Sequence, residues 1–237
     1  MSELETLLLN LSNKIIGKRE ELQPIFDRIA SELFFNTIIS TSHGKKYYFR
    51  EIEFYFRSKY HNDPYVHCSE VSKCQRQGDF GEWHFHRFDK SADSFLNSKR
   101  NGVDISFGNK NEIIYGGILI REVEKIDSKE EIINGINNVV LELLNIKRDD
   151  IKIGQYNSNN LKNNLVDLAT KGGKQVFDLN QPIHLDIYNR GKTPNLFKKR
   201  RVQLSEKRNE KRDPENYFDA PYNYFIDTYL SQVTHKL

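Results

Sequence analysis

Apolar positions change their period along the chain. Over residues 3–35, Leu7, Leu11, Ile15 and Ile16 recur at helical spacing, and Leu22, Ile25, Ile29 and Leu33 repeat the pattern. This predicts two amphipathic helices, broken near Gly17, the second restarting around Pro24. From residue 37 the period falls to two. Residues 37–42 and 46–56 read as strands joined by the turn Ser42-His43-Gly44-Lys45. Residues 57–81 are polar, carry Asp63, Pro64 and Gly78, and read as a long loop. Alternation returns over 82–88, 102–107 and 113–123, which predicts three further strands, and 183–187 predicts another. Residues 132–144 are apolar at helical spacing and predict a helix; 156–176 read as a loop, and the last dozen residues as a short helix. No repeat or domain boundary is visible. The pattern predicts a single α+β domain over 1–237, mainly antiparallel, with 1–30 as a helical N-terminal extension.

Composition adds limits. The chain has 237 residues, of which 37% are hydrophobic, enough to build a core. A mean hydropathy of -0.71 makes the surface polar. A net charge of +3 permits nucleic-acid binding without arguing for it. Aromatic residues, at 12%, suit either base stacking or an ordinary β-rich core. With only Cys68 and Cys74, a disulfide framework is not expected, and a reducing, intracellular setting is. The opening MSELETLLLNL lacks a basic start followed by a long apolar run, so no secretory signal is expected. No apolar segment nears the roughly 20 residues needed to span a bilayer. The strongest charge feature is the basic run 192–212, with Lys198, Lys199, Arg200 and Arg201 together.

The candidate chemistry lies in residues 51–67, EIEFYFRSKYHNDPYVH. Side chains on a strand repeat every second residue, so Glu51, Glu53 and Tyr55 share one face, and Ile52, Phe54 and Phe56 the other. On alternation alone the two acids read as a solvent-facing edge. The motif that follows changes this. Glu-x-Glu-x-Tyr and then Asp63-Pro64-x-x-His67 resembles the core motif of the methylpurine (3-methyladenine, alkyladenine) DNA glycosylase family, a V-E-x-E-A-Y strand followed by D-P-x-x-H. Further blocks follow in the same order over residues 30–225. Gly81-Glu-Trp-His-Phe-His86 resembles a G-x-L-Y-V-Y strand, Gly102-Val-Asp-Ile a G-x-x-x-N strand, and Ile118-Leu-Ile-Arg121 a V-L-L-R strand. Near the end, Arg201-Val-Gln-Leu resembles R-I-G-I, and Ala220-Pro-Tyr-Asn-Tyr-Phe resembles P-W-R-F-Y. The departures fall in the base pocket: His84 and His86 replace tyrosines, Asp104 replaces an asparagine, and Tyr222 and Asn223 replace tryptophan and arginine. The intercalating residue has Phe88 as its nearest match.

The resemblance implies a curved, mainly antiparallel sheet with surrounding helices, in a single methylpurine-DNA-glycosylase-like domain. It implies an enzyme acting on double-stranded DNA that holds a damaged or modified base, with alkylated or deaminated purines as the expected substrates. Such an enzyme extrudes the nucleotide and hydrolyses its N-glycosidic bond. Under it Glu53 is the catalytic carboxylate that activates water and Arg121 assists. Tyr55, His67, His86 and Asp104 bind the base, and Lys198, Lys199, Arg200 and Arg201 hold the DNA backbone. No lysine is placed for a Schiff base, so a monofunctional enzyme is expected. That mechanism requires no metal or organic cofactor. The protein is expected to act as a monomer, in the cytoplasm, nucleoid or nucleus.

Two other readings stand beside this one. His67, Cys68, Cys74, His84 and His86 fall close together, and His-x-His with two cysteines is a zinc-ligand set, which would make a DNA-processing or nuclease module. Against it, five residues separate Cys68 from Cys74, outside the usual spacing. The third reading is a catalytically inactive relative that binds DNA.

Overall fold

The computed structural model describes residues 1–14, 18–66, 76–86, 101–126, 131–146, 175–191, 195–202, 204 and 216–227. Two helices open it. In α1 (Glu3–Ser12) the Ser2 hydroxyl caps the helix by accepting from the Glu5 amide, and Leu4, Leu7, Leu8 and Leu11 make the buried face. In α2 (Arg19–Asn36) the buried face is Leu22, Phe26, Ile29, Ala30, Leu33 and Phe34. The helix begins at Arg19, ahead of the expected restart, and Pro24 lies inside it. The stretch expected as an extension contributes Leu4, Leu7, Leu8, Leu11, Leu22 and Phe26 to the main core.

The strands follow as β1 (Thr37–Thr41), β2 (Lys46–Ser58), β3 (His61–Asn62), β4 (Phe80–Phe85), β5 (Val103–Phe107) and β6 (Tyr115–Lys125). Then come β7 (Ile132–Asn134), α3 (Ile136–Leu143), β8 (Ile183–Ile187), β9 (Leu196–Lys199) and β10 (Asn223–Ile226). The pairings among the described residues are antiparallel, and the sheet is curved, with a main path β4-β5-β6-β2-β1-β8. The spine is β2. One edge pairs with β6 along its length; the other takes β1, β10 and β3 in turn.

A bulge decides which side chains of the spine face where. Tyr47 and Phe49 join the core at the start of β2, and Ile52, Phe54 and Phe56 join it further along. The change from odd to even positions falls at the register shifts between Phe49 and Ile52, where Arg50 is the extra residue. On β6 the core positions likewise pass from Ile118 and Ile120 to Val123, with Arg121 at the shift. On the core side Phe26 stacks on Phe54 with ring centroids 4.3 Å apart and meets Tyr222 edge-on at 5.0 Å.

Several expectations are corrected. Residues 132–144 are not one helix: β7 and α3 are separated by Gly135, whose φ of 93° favours glycine. In the polar stretch 57–81 the described residues hold the end of β2, β3 and the start of β4, and residues 67–75 of the expected loop lie outside the described residues. The basic run contains β9, which pairs with β10 and so joins the sheet. The predicted loop over 156–176 lies almost wholly outside the described residues, as do Phe88 and the chain beyond 227. Among the described residues no helix is long and apolar enough to cross a membrane.

Candidate active site

Directly opposed residues of antiparallel strands project on the same face of a sheet. The register therefore sets one row across six strands: Lys199, Asn223, Glu53, Leu119, Asp104 and His84, from β9 through β10, β2, β6 and β5 to β4. This is the face opposite Ile52, Phe54 and Phe56, and Glu53 stands near its middle. Tyr55, one pleat further along β2, packs with Leu119 and Val66 in a small apolar cluster apart from the main core.

Glu53 is fully buried. A carboxylate taken from water without partners costs several kcal/mol, so its donors matter. Oε1 accepts from the Tyr55 hydroxyl at 2.5 Å. Oε2 lies 3.3 Å from an Arg121 guanidinium nitrogen and accepts from the Val202 amide at 3.2 Å and from Asn223 Nδ2 at 3.3 Å. Glu51 shares two of these partners: its Oε1 accepts from Arg121 Nε at 3.1 Å and from Asn223 Nδ2 at 2.8 Å. Lys199 Nζ lies 3.3 Å from the same oxygen. Arg121 and Asn223 thus each span both acids, and Glu51 fixes the groups that hold Glu53. Burial, and then the Glu53 carboxylate, push the Tyr55 phenol well above its usual value, so the hydroxyl stays protonated and donates.

Asp63 and Arg201 frame this cluster. They form a buried two-pronged ion pair, with contacts of 2.6 and 3.2 Å. The Tyr65 amide donates to Asp63 at 3.0 Å, and Arg201 donates to the Tyr217 carbonyl at 2.6 Å. The guanidinium lies 5.2 Å from the Tyr55 ring centre and 5.0 Å from that of Tyr65. Burial pushes the Asp63 carboxyl up from its usual range, and the Arg201 charge pulls it back. Arg201 is therefore not placed on a DNA backbone. It is shut inside by the turn that Asp63 begins, and it carries the chain to Val202, whose amide reaches Glu53. The three cations before it, Lys198, Lys199 and Arg200, are nearer the surface. Lys198 pairs with Asp27, Lys199 with Glu51, and Arg200, with 66% of its side chain exposed, lies 3.8 Å from Asp219.

At the far end of the row, His86 Nε2 lies 2.7 Å from Asp104 Oδ2, which also accepts from Gln77 Nε2 at 2.6 Å. The rings of His84 and His86 are 5.2 Å apart. Gly117, between Tyr55 and this group, leaves the space: a Cβ there would fall 2.5 Å from Gln77 Nε2. His67, Cys68 and Cys74 lie outside the described residues. Of the expected site residues, Glu53, Tyr55 and Arg121 are thus drawn together, and His86 pairs with Asp104 further along the same face. The resemblance marks Asn223 only as a departure in the base pocket and gives it no role beside Glu53; the Val202 amide and Gln77 carry no expectation. The signal of Asn223 in the sequence is its place in Ala220-Pro-Tyr-Asn-Tyr-Phe, where the resembling segment has an arginine.

No family model matches the chain. It is 30% identical over 213 residues to an uncharacterized protein of Acanthamoeba polyphaga mimivirus, a match that covers 85% of each chain. The described fold is of the α+β class with a curved antiparallel sheet. The chain belongs to the same family as that viral protein.

Proposed function

We propose that the protein is a monofunctional DNA glycosylase that hydrolyses the N-glycosidic bond of a flipped-out damaged or modified base in duplex DNA. The observation that carries the reading is Glu53: a fully buried carboxylate held by four donors, with Tyr55 on its own strand face and an apolar cluster beside it. A surface acid needs no such support. The collinear resemblance in sequence points the same way.

The chemistry follows from the residues. The extruded base stacks on Tyr55, a contact worth about 1–3 kcal/mol. A water attacks C1′ of the deoxyribose and passes its proton to Glu53. The C1′–N bond breaks, its electron pair leaves with the base, and the proton taken from the water passes from Glu53 to the departing base, so the carboxylate is regenerated. The carboxylate also faces the positive charge that develops on the sugar. Arg121 and Asn223 fix the orientation of Glu53, and Glu51 fixes them in turn. Alkylated or deaminated purines are the proposed substrates, and Arg200 with Lys198 the proposed phosphate contacts.

The test offers duplexes carrying one hypoxanthine, ethenoadenine, 7-methylguanine or modified cytosine, together with bulk alkylated DNA. Strand breaks that require alkali and persist in EDTA are the expected outcome. Breaks that form without alkali and vanish in EDTA would overturn the reading in favour of a metal-dependent nuclease. Duplex binding with no base release from any substrate would favour an inactive relative.

A further inference from the structure

We infer that His84, His86 and Asp104 bind a divalent transition-metal ion of the zinc class, a site that does not depend on the glycosylase reading. Their ligand atoms all lie within 4.8 Å of one another. The backbone brings them together. His84 is near the end of β4 and His86 follows just past it, and His84 stands directly opposite Asp104 on β5. The His86 amide donates to the Gly102 carbonyl at 2.9 Å, which holds the chain in register just past the strand. Gly102 leaves room for the ring, since a Cβ there would fall 3.3 Å from His86 Nδ1.

Two imidazoles and a carboxylate are a donor set for Zn²⁺ or its neighbours, and not for Mg²⁺ or Ca²⁺, which take oxygen ligands. With metal–ligand bonds of about 2.0–2.1 Å, tetrahedral donors stand about 3.3 Å apart. The 2.7 Å contact between His86 Nε2 and Asp104 Oδ2 opens slightly as the ion replaces the proton they share, and the wider gaps close by side-chain rotation. Gln77, donating to Asp104 at 2.6 Å, supplies the outer contact that orients a ligating carboxylate. Gly117 permits that contact, as any side chain there would displace Gln77. Three protein ligands leave a position open to water or a ligand. Asp104 and Glu53 share one row, so the ion lies on the Tyr55 face of the sheet.

The test uses the full chain, stripped with EDTA, dialysed and titrated with ZnCl₂ by calorimetry, with Co²⁺ as a spectroscopic probe. The expected result is one equivalent bound, a rise in melting temperature with Zn²⁺, and a visible Co²⁺ spectrum. Asp104→Asn and His86→Gln, checked by circular dichroism to be folded, are expected to weaken binding at least tenfold and lose the Co²⁺ spectrum. Gln77→Ala is expected to weaken it about 10- to 100-fold. Glu53→Gln is expected to bind as the wild type does, so loss of base release and loss of metal are read separately. The inference is overturned if the wild-type chain shows no saturable binding. It is also overturned if Asp104→Asn and His86→Gln bind unchanged, or if Glu53→Gln abolishes binding.

Discussion

Asp63 and Arg201 illustrate how little a residue's type says about its job. Both side chains are fully buried, and each is the other's main charge partner. Removing one member of such a pair leaves a charge in a medium that cannot solvate it, at a cost of about 3–5 kcal/mol. Asp63→Ala is expected to lose that much in urea unfolding, whereas an exposed pair such as Arg28–Glu3 is expected to give less than about 1 kcal/mol. His61 makes a pH-dependent case. It lies against Tyr217, with ring centres 4.5 Å apart, and burial, then Arg19 and Arg201, push it from 6.5 down to about 3. The unfolded chain therefore takes up a proton below pH 6.5 that the folded chain refuses until about pH 3. Stability from this residue is present above pH 6.5 and lost as the pH falls towards 3, by up to roughly 1.4 kcal/mol per pH unit. Unfolding midpoints of His61→Phe are expected to fall less steeply than wild type between pH 6.5 and 4.5, and equal slopes would contradict this assignment.

At the scale of elements, the spine and its neighbours were legible because their apolar positions alternate. β1, β2, β5, β6 and β8 lie close to where the pattern puts them. What alternation could not show is the bulge that moves the core face of β2 from odd to even positions and places Arg50 and Arg121 at the register shifts. Nor could it show β9, whose Leu-Phe-Lys-Lys lacks a period and sits in a run that charge alone marks as surface. The helical spacing of 132–144 misled because an apolar strand and an apolar helix meet there with only Gly135 between them. The φ of that glycine is 93° and its nearest neighbour to an added Cβ is 3.7 Å away, so a substitution would strain the backbone without a clash. Gly135→Ala is expected to cost about 1–3 kcal/mol in urea unfolding. No loss of stability would mean that the chain turns there at no cost. For the candidate site, Glu53, Tyr55 and Arg121 were legible through a motif. The contacts of Asn223 and the Val202 amide with Glu53 were not, because segments distant in sequence deliver them, β10 and the chain just past β9.

For the whole molecule, the sheet has two uses. One face, with α1 and α2, builds the core; the other carries a polar row with a buried acid, Glu53, near its middle. Holding Glu53 there requires Tyr55, Arg121, Asn223 and the Val202 amide together, drawn from four separate parts of the chain. Such an arrangement does nothing for stability that an apolar residue would not do better. The purpose proposed for it is the activation of water beside a flipped base. The most direct test compares single-turnover base release by the wild-type chain and Glu53→Gln on a substrate duplex, with duplex binding measured alongside. The predicted result is a loss of about 10²- to 10⁴-fold in the release rate with binding retained. Release at the wild-type rate by Glu53→Gln would contradict the proposal that this buried carboxylate performs the hydrolysis.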